Sequence, residues 1–211
     1  MTKKDVTILL EDFIAKVSKG IISFHNEPSL QMNLACFLRC ILKSTNYKVE
    51  VEVDIKDAFG LPTFTTKCEK SKIDIVIFDG PDIRTADEKY AIELKYPHRK
   101  AYPFMMYSCV KDIAFMEVAQ DLWGTGIKNP LNGSFCLTFV DDKNFYTATP
   151  FQKPGSIYSH FRPVGGKTAP IHGTIVRPTK GSGSPLSLNI FGSYTIEWKQ
   201  SNKYNYYLVV I

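Results

Sequence analysis

Three short β-rich segments between residues 48 and 96 place the strongest constraint on how this chain can fold. KVEVEVD (48–54) alternates strictly, SKIDIVIF (71–78) and KYAIELKY (89–96) are apolar runs, and turn-forming residues separate all three. They read as consecutive strands, with Glu50 and Glu52 on the wet face of the first. Helical periodicity surrounds them. Residues 5–18 carry Ile8, Leu9, Phe13, Ile14 and Val17 at helical spacing, with Gly20 as a stop. Leu30, Leu34, Phe37, Leu38, Ile41 and Leu42 repeat that period in a second helix, with Pro28 in its first turn. Residues 105–122 return to helix, with Val110, Ile113, Ala114, Val118 and Leu122 on one side, and SFCLTFV (134–140) reads as another strand. The expected order is helix, strand, strand, strand, helix, strand.

At 211 residues the chain can bury a hydrophobic core as one domain, without a disulfide framework or structural metal. Five cysteines with no CxxC pair suit a reducing cytoplasm. Cys36 and Cys40 share a helical face but have no second pair at zinc spacing, so they read as buried free thiols. The four histidines show no metal-binding spacing. The first residues lack a signal-peptide pattern, and no run of about 18 apolar residues exists to span a membrane. A net charge of +5 mildly favours polyanionic partners.

Side chains alternate along a strand, so Glu93 and Lys95 project from one face of KYAIELKY with Ala91, while Ile92, Leu94 and Tyr96 take the other. Asp74 is the single acid within SKIDIVIF, where an unpaired charge would be costly. If these strands are neighbours, Asp74 and Glu93 converge and can share a hard divalent cation, Mg²⁺ or alternatively Mn²⁺. Lys95 would then orient a metal-bound water and offset charge on a phosphate.

Asp74 in "KIDIVIF" and Glu93 and Lys95 in "IELK" resemble the signature of the PD-(D/E)XK nuclease superfamily, which includes restriction endonucleases, repair nucleases and Holliday-junction resolvases. Ile73 stands where the motif's name has Pro, a position outside the chemistry. The resemblance covers residues 25–145 and implies an α/β, restriction-endonuclease-like core: a mixed sheet flanked by helices in the order α-β-β-β-α-β. It also implies metal-dependent hydrolysis of nucleic acid, with DNA the expected polymer. Glu27, with Gln31 one turn further on the same face, resembles the helix acid that joins the site in that superfamily. A helix N-terminal acid is also favoured by the macrodipole alone. Cutting both strands of a duplex calls for two active sites, so a homodimer is one expected assembly. The different-class alternative is a binding or regulatory module that keeps the fold without cleaving.

Of two rival patterns, Asp54-Ile-Lys56 has only the acids of its own strand before it and Glu197-Trp-Lys199 follows any plausible core, whereas Glu93 has Asp74 in a separate apolar strand 19 residues earlier. GGKT (165–168) is rejected as a phosphate loop, because Phe161 stands where its first Gly belongs. His98, Arg99 and Lys100 follow the catalytic strand and are candidate phosphate contacts. Residues 150–211 are rich in Pro, Gly and Ser with short strand-like pieces, and are expected as a β-rich elaboration of one 1–211 domain. Most aromatics there are assigned to packing, and Arg162, Lys167 and Lys180 are reserved for phosphate contact.

Overall fold

A computed structural model describes residues 1–56, 70–97, 101–121, 131–148, 155–178 and 187–211. Two capped helices open the chain. In α1 (Lys3–Ser18) Thr2 and Asp5 form a reciprocal capping box, and in α2 (Glu27–Leu42) the Asn26 side chain accepts from Ser29 N at 2.8 Å. Gly20, with φ +70°, ends the first helix in the left-handed conformation that suits glycine.

Strands β1 (Tyr47–Asp54), β2 (Lys72–Asp79) and β3 (Lys89–Lys95) form an antiparallel meander. Helix α3 (Tyr102–Asp121) then carries the chain over to β4 (Gly133–Val140), which lies parallel to β3. Parallel neighbours require such a crossover. The expected order of helices and strands is therefore present in an α/β chain with a mixed sheet.

The last third does more than decorate that core. β8 (Tyr204–Val210) pairs antiparallel with β4 and carries the short β7 (Lys199–Ser201), giving the six-stranded order β1-β2-β3-β4-β8-β7. A separate hairpin, β5 (Ile171–Val176) and β6 (Ser187–Tyr194), packs on α3. Every residue of β4 is buried, as suits a strand in mid-sheet with both faces covered.

Each face of the sheet has its own core. Phe13, Leu30, Leu34, Leu38, Ile92, Leu94 and Phe135 belong to the α1–α2 side. Val76, Ala91, Val110, Phe115, Ile175 and Ile190 belong to the side closed by α3 and the β5–β6 hairpin. This alternation sends the odd positions of β3 toward α3, as expected. The aromatics Phe161, Tyr204 and Tyr207 are packed inside, and Trp198 crosses Tyr207 edge to face at 5.0 Å between ring centres.

Some expectations fail for geometric reasons. In α1 the buried stripe runs through Val6, Leu10, Phe13, Ile14 and Val17, which turns Ile8 outward, 46% exposed. In α2 it runs through Leu30, Leu34, Leu38 and Leu42, leaving Ile41, Cys36 and Cys40 on the exposed side. The two cysteines are therefore surface thiols. Val118 of α3 is half-buried, and Leu122 lies outside the described residues. Among the described residues no helix is long and apolar enough to cross a membrane.

This placement predicts a split in thiol chemistry. Cys109 and Cys136 are buried, and burial pushes the Cys109 thiol up to about 12 and raises Cys136 as well. Under native conditions Cys36 and Cys40 should alkylate quickly, while Cys109 and Cys136 react only after denaturation. Peptide mapping by mass spectrometry reads this directly, and fast native labelling of Cys109 would refute it.

Candidate active site

The site forms where the sheet comes apart. β2 and β3 pair from Phe78 opposite Lys89 to Ile75 opposite Ile92, and no further. On the other side of β2, Val51 pairs with Ile75 and Val53 with Ile73, while Glu52 between them has φ +54°. A left-handed conformation at a non-glycine residue costs on the order of 1–3 kcal/mol and gathers at functional sites. Here it marks a turn-over of the strands. Val49, Ile75 and Ile77 belong to the α1–α2 core, whereas Val53 and Ile73 belong to the α3 core.

Backbone groups released by that opening must find other partners. Asp74 N donates to Glu93 Oε1 at 3.3 Å, and Leu94 N donates to Asp74 Oδ2 at 2.7 Å. The Asp74 carbonyl accepts from Gln31 Nε2 at 2.9 Å, and the same amide nitrogen donates to Glu52 Oε1 at 2.8 Å. Side chains thus replace the missing ladder between β2 and β3. Asp74 and Glu93 converge for this reason, and Gln31 joins them.

Two ammonium groups link this pair to α3 and, through Asp112, to α2. Lys70 Nζ contacts Glu93 Oε2 and lies 3.3 Å from Asp112 Oδ1. Lys95 Nζ lies 3.3 Å from Asp112 Oδ2 and 3.3 Å from Glu27 Oε1, and the other Glu27 oxygen accepts from Tyr96 N at 3.0 Å. Glu27, at the start of α2, therefore holds both Lys95 and the end of β3.

Burial sets the electrostatics. Glu93 is 1% exposed, and its carboxyl is held well above the usual range by burial and then by Asp74 and Asp112 beside it. Burial also raises Asp74, against the pull of Lys70 and the Leu94 N–H. Lys95 would be lowered by burial, but Asp112 and Glu27 more than reverse this and keep it charged.

Asp112, Lys70 and Glu52 were not expected at the site. Asp112 is 5% exposed on α3, a helix without a polar stripe to set an inward acid apart in the sequence. Glu52 is exposed, as expected of the wet face, and accepts from Gln31 where its own backbone is left-handed. Lys70 precedes its strand in a stretch with no periodic pattern.

The remaining candidates fall elsewhere. Arg162 is 7% exposed, with Nη2 donating to Asn144 O and its guanidinium 4.1 Å from the Tyr158 ring centre, so it braces the interior instead of presenting a charge to phosphate. Lys167 is exposed at a tight turn closed by Val164 N to Lys167 O at 2.9 Å, with Gly165 and Gly166 both left-handed. GGKT is therefore a turn. Among the rivals, Asp54 accepts from Lys56 N, and Glu197 and Lys199 are exposed. His98, Arg99, Lys100 and Lys180 lie outside the described residues.

As the side chains stand, no group of three or more His, Cys, Asp or Glu residues among the described residues is ready to hold a metal ion. Lys70 lies against the Glu93 carboxylate. The chemistry of the donors nevertheless suits a hard divalent cation: Asp74, Glu93, Asp112 and Glu27 against Lys70 and Lys95 leave a formal excess of two negative charges. Comparison of the chain with protein-family models, curated proteins and solved structures returned no match.

Proposed function

We propose that this protein is a metal-dependent nuclease of the PD-(D/E)XK type, hydrolysing phosphodiester bonds of nucleic acid, with DNA the favoured substrate. The observation that carries the reading is the meeting of Asp74 with Glu93 where the β2–β3 ladder opens, with Lys95 joined to the same group of acids through Asp112. The order of helices and strands around that opening, with β3 and β4 parallel across α3, supports the restriction-endonuclease-like form of the core.

Asp74 and Glu93 would hold Mg²⁺ or Mn²⁺, which when bound polarises a phosphate and lowers the pKa of a water. The protein's own groups complete the site. Lys95 stays an ammonium between Asp112 and Glu27, so it acts as a fixed donor toward developing phosphate charge and not as a proton acceptor. Glu27 orients that donor from the first turn of α2. Gln31 fixes the Asp74 backbone, whose N–H donates to Glu93 and whose carboxylate accepts from Leu94 N.

The test is cleavage of duplex, branched and single-stranded DNA and of RNA with Mg²⁺ or Mn²⁺, against a chelator control. Metal-dependent products are expected. The alternative, a nucleic-acid-binding module that does not cut, is favoured by Lys70 standing against Glu93. It replaces the nuclease reading if the protein binds these substrates in a salt-dependent way yet cleaves none of them.

A further inference from the structure

Lys70 has no part in the chemistry just described, yet its ammonium is set in the middle of the acids. It contacts Glu93 and Asp112 directly, and Asp74 also favours its charged form. Its side chain is 25% exposed, while those of Glu93 and Asp112 are 1% and 7% exposed. The amine therefore sits between solvent and two nearly buried carboxylates, with the Phe115 ring centre 5.6 Å away as an apolar wall. Lys95 differs, because its other partner is Glu27, on the far helix.

We propose that Lys70 is a built-in competitor for the divalent cation, closing the acidic site when metal is absent and leaving Glu93 and Asp112 when metal binds. This inference rests on the nuclease reading and adds a control to that same site. The competition follows from distance. A carboxylate oxygen ligates Mg²⁺ at about 2.0–2.1 Å but meets an ammonium at about 2.7–2.9 Å, so one Glu93 oxygen cannot serve both in one place. Apparent metal affinity is then the intrinsic affinity reduced by the fraction of molecules in which Lys70 has withdrawn. Asp112, which holds Lys70 in the closed state, becomes available to metal or its waters in the open one.

Lys70→Met keeps the length of the side chain and removes its charge. The metal-free variant should melt below the parent, because three crowded acids lose a counter-charge. It should nevertheless bind Mn²⁺ roughly tenfold or more tightly by calorimetry, with a larger upward melting shift on metal addition. Lys70→Gln should behave alike. In the parent protein, Mn²⁺ should speed acetylation of the Lys70 amine, read by peptide mass spectrometry, which keeps the test decisive even if a variant fails to fold. Glu93→Ala separates the two levels of argument. Mn²⁺ binding that needs Glu93 but is unchanged or weaker in Lys70→Met, with no change in Lys70 acetylation, overturns the competitor alone. Absence of any Glu93-dependent Mn²⁺ binding overturns the nuclease reading with it.

Discussion

Glu93→Ala should reduce metal-dependent cleavage to background while the protein still folds and still binds DNA. Few single substitutions would separate chemistry from structure so cleanly. Glu93 is nearly fully buried, yet burial and the neighbouring Asp74 and Asp112 all act against its charged form. Removing it relieves that crowding, which offsets the lost acceptor for Asp74 N and the lost partner for Lys70. Lys95→Ala gives a useful scale, since loss of one fixed donor to a transition state costs about 10²–10³-fold in kcat. On the proposed reading, loss of Glu93 would remove an anionic metal ligand as well and should exceed that. Binding should move the other way. Asp74→Asn, which takes one negative charge from a site meant to meet phosphate, should leave metal-free affinity equal or tighter by up to about 1 kcal/mol. Cleavage assays, melting curves and DNA titrations across a salt series check all three parts. A Glu93→Ala protein that unfolds would make the acid half of a structural ion pair.

Asp74, Glu93 and Lys95 could be read from sequence because strand periodicity alone decides which residues share a face. Once KYAIELKY is a strand, Glu93 and Lys95 must point together, and Ile92, Leu94 and Tyr96 must point away. A single acid in SKIDIVIF then supplies its own argument through the cost of burial. The same reasoning could not find Asp112. Helix α3 is buried on nearly all sides, between the sheet and the β5–β6 hairpin, so no polar stripe exists against which an inward acid would stand out. Nor could periodicity show that Glu52 leaves the strand pattern, because a φ of +54° is imposed by the turn-over beside it. The C-terminal strands were legible as strands but not as partners. That β8 completes the main sheet against β4, while β5 and β6 form a separate layer, depends on long-range pairing.

A second buried acid on α3 should show the opposite behaviour to Glu93. Glu117→Ala should cost roughly 3–5 kcal/mol of stability, because it removes the acceptor of three part-buried hydrogen-bond donors at about 1–3 kcal/mol each. Glu117 is 8% exposed, and its two oxygens accept from Phe191 N at 3.0 Å, Gly192 N at 2.6 Å and Tyr194 Oη at 3.0 Å. Phe191 and Gly192 lie within the register shift of β6, between Ile190 opposite Gly173 and Tyr194 opposite Ile171, so α3 replaces pairing that the hairpin lacks there. The Tyr194 ring fills the space beside Gly192, with its oxygen 2.4 Å from where a Cβ would stand. The β6 backbone has little room to shift and find new acceptors. These partners of Glu117 are neutral N–H and O–H groups, which favours a permanent structural role over one that opens for metal. At about 2–4 °C per kcal/mol for a chain of this size, Glu117→Ala should melt on the order of 10 °C below the parent. Glu117→Gln, which retains one acceptor oxygen, should fall between them. Below the new transition, cleavage per folded molecule should stay near the parent's, because Glu117 touches none of Asp74, Glu93 or Lys95. A drop of less than about 2 °C would mean that water satisfies the freed donors, and the hairpin would not depend on this carboxylate.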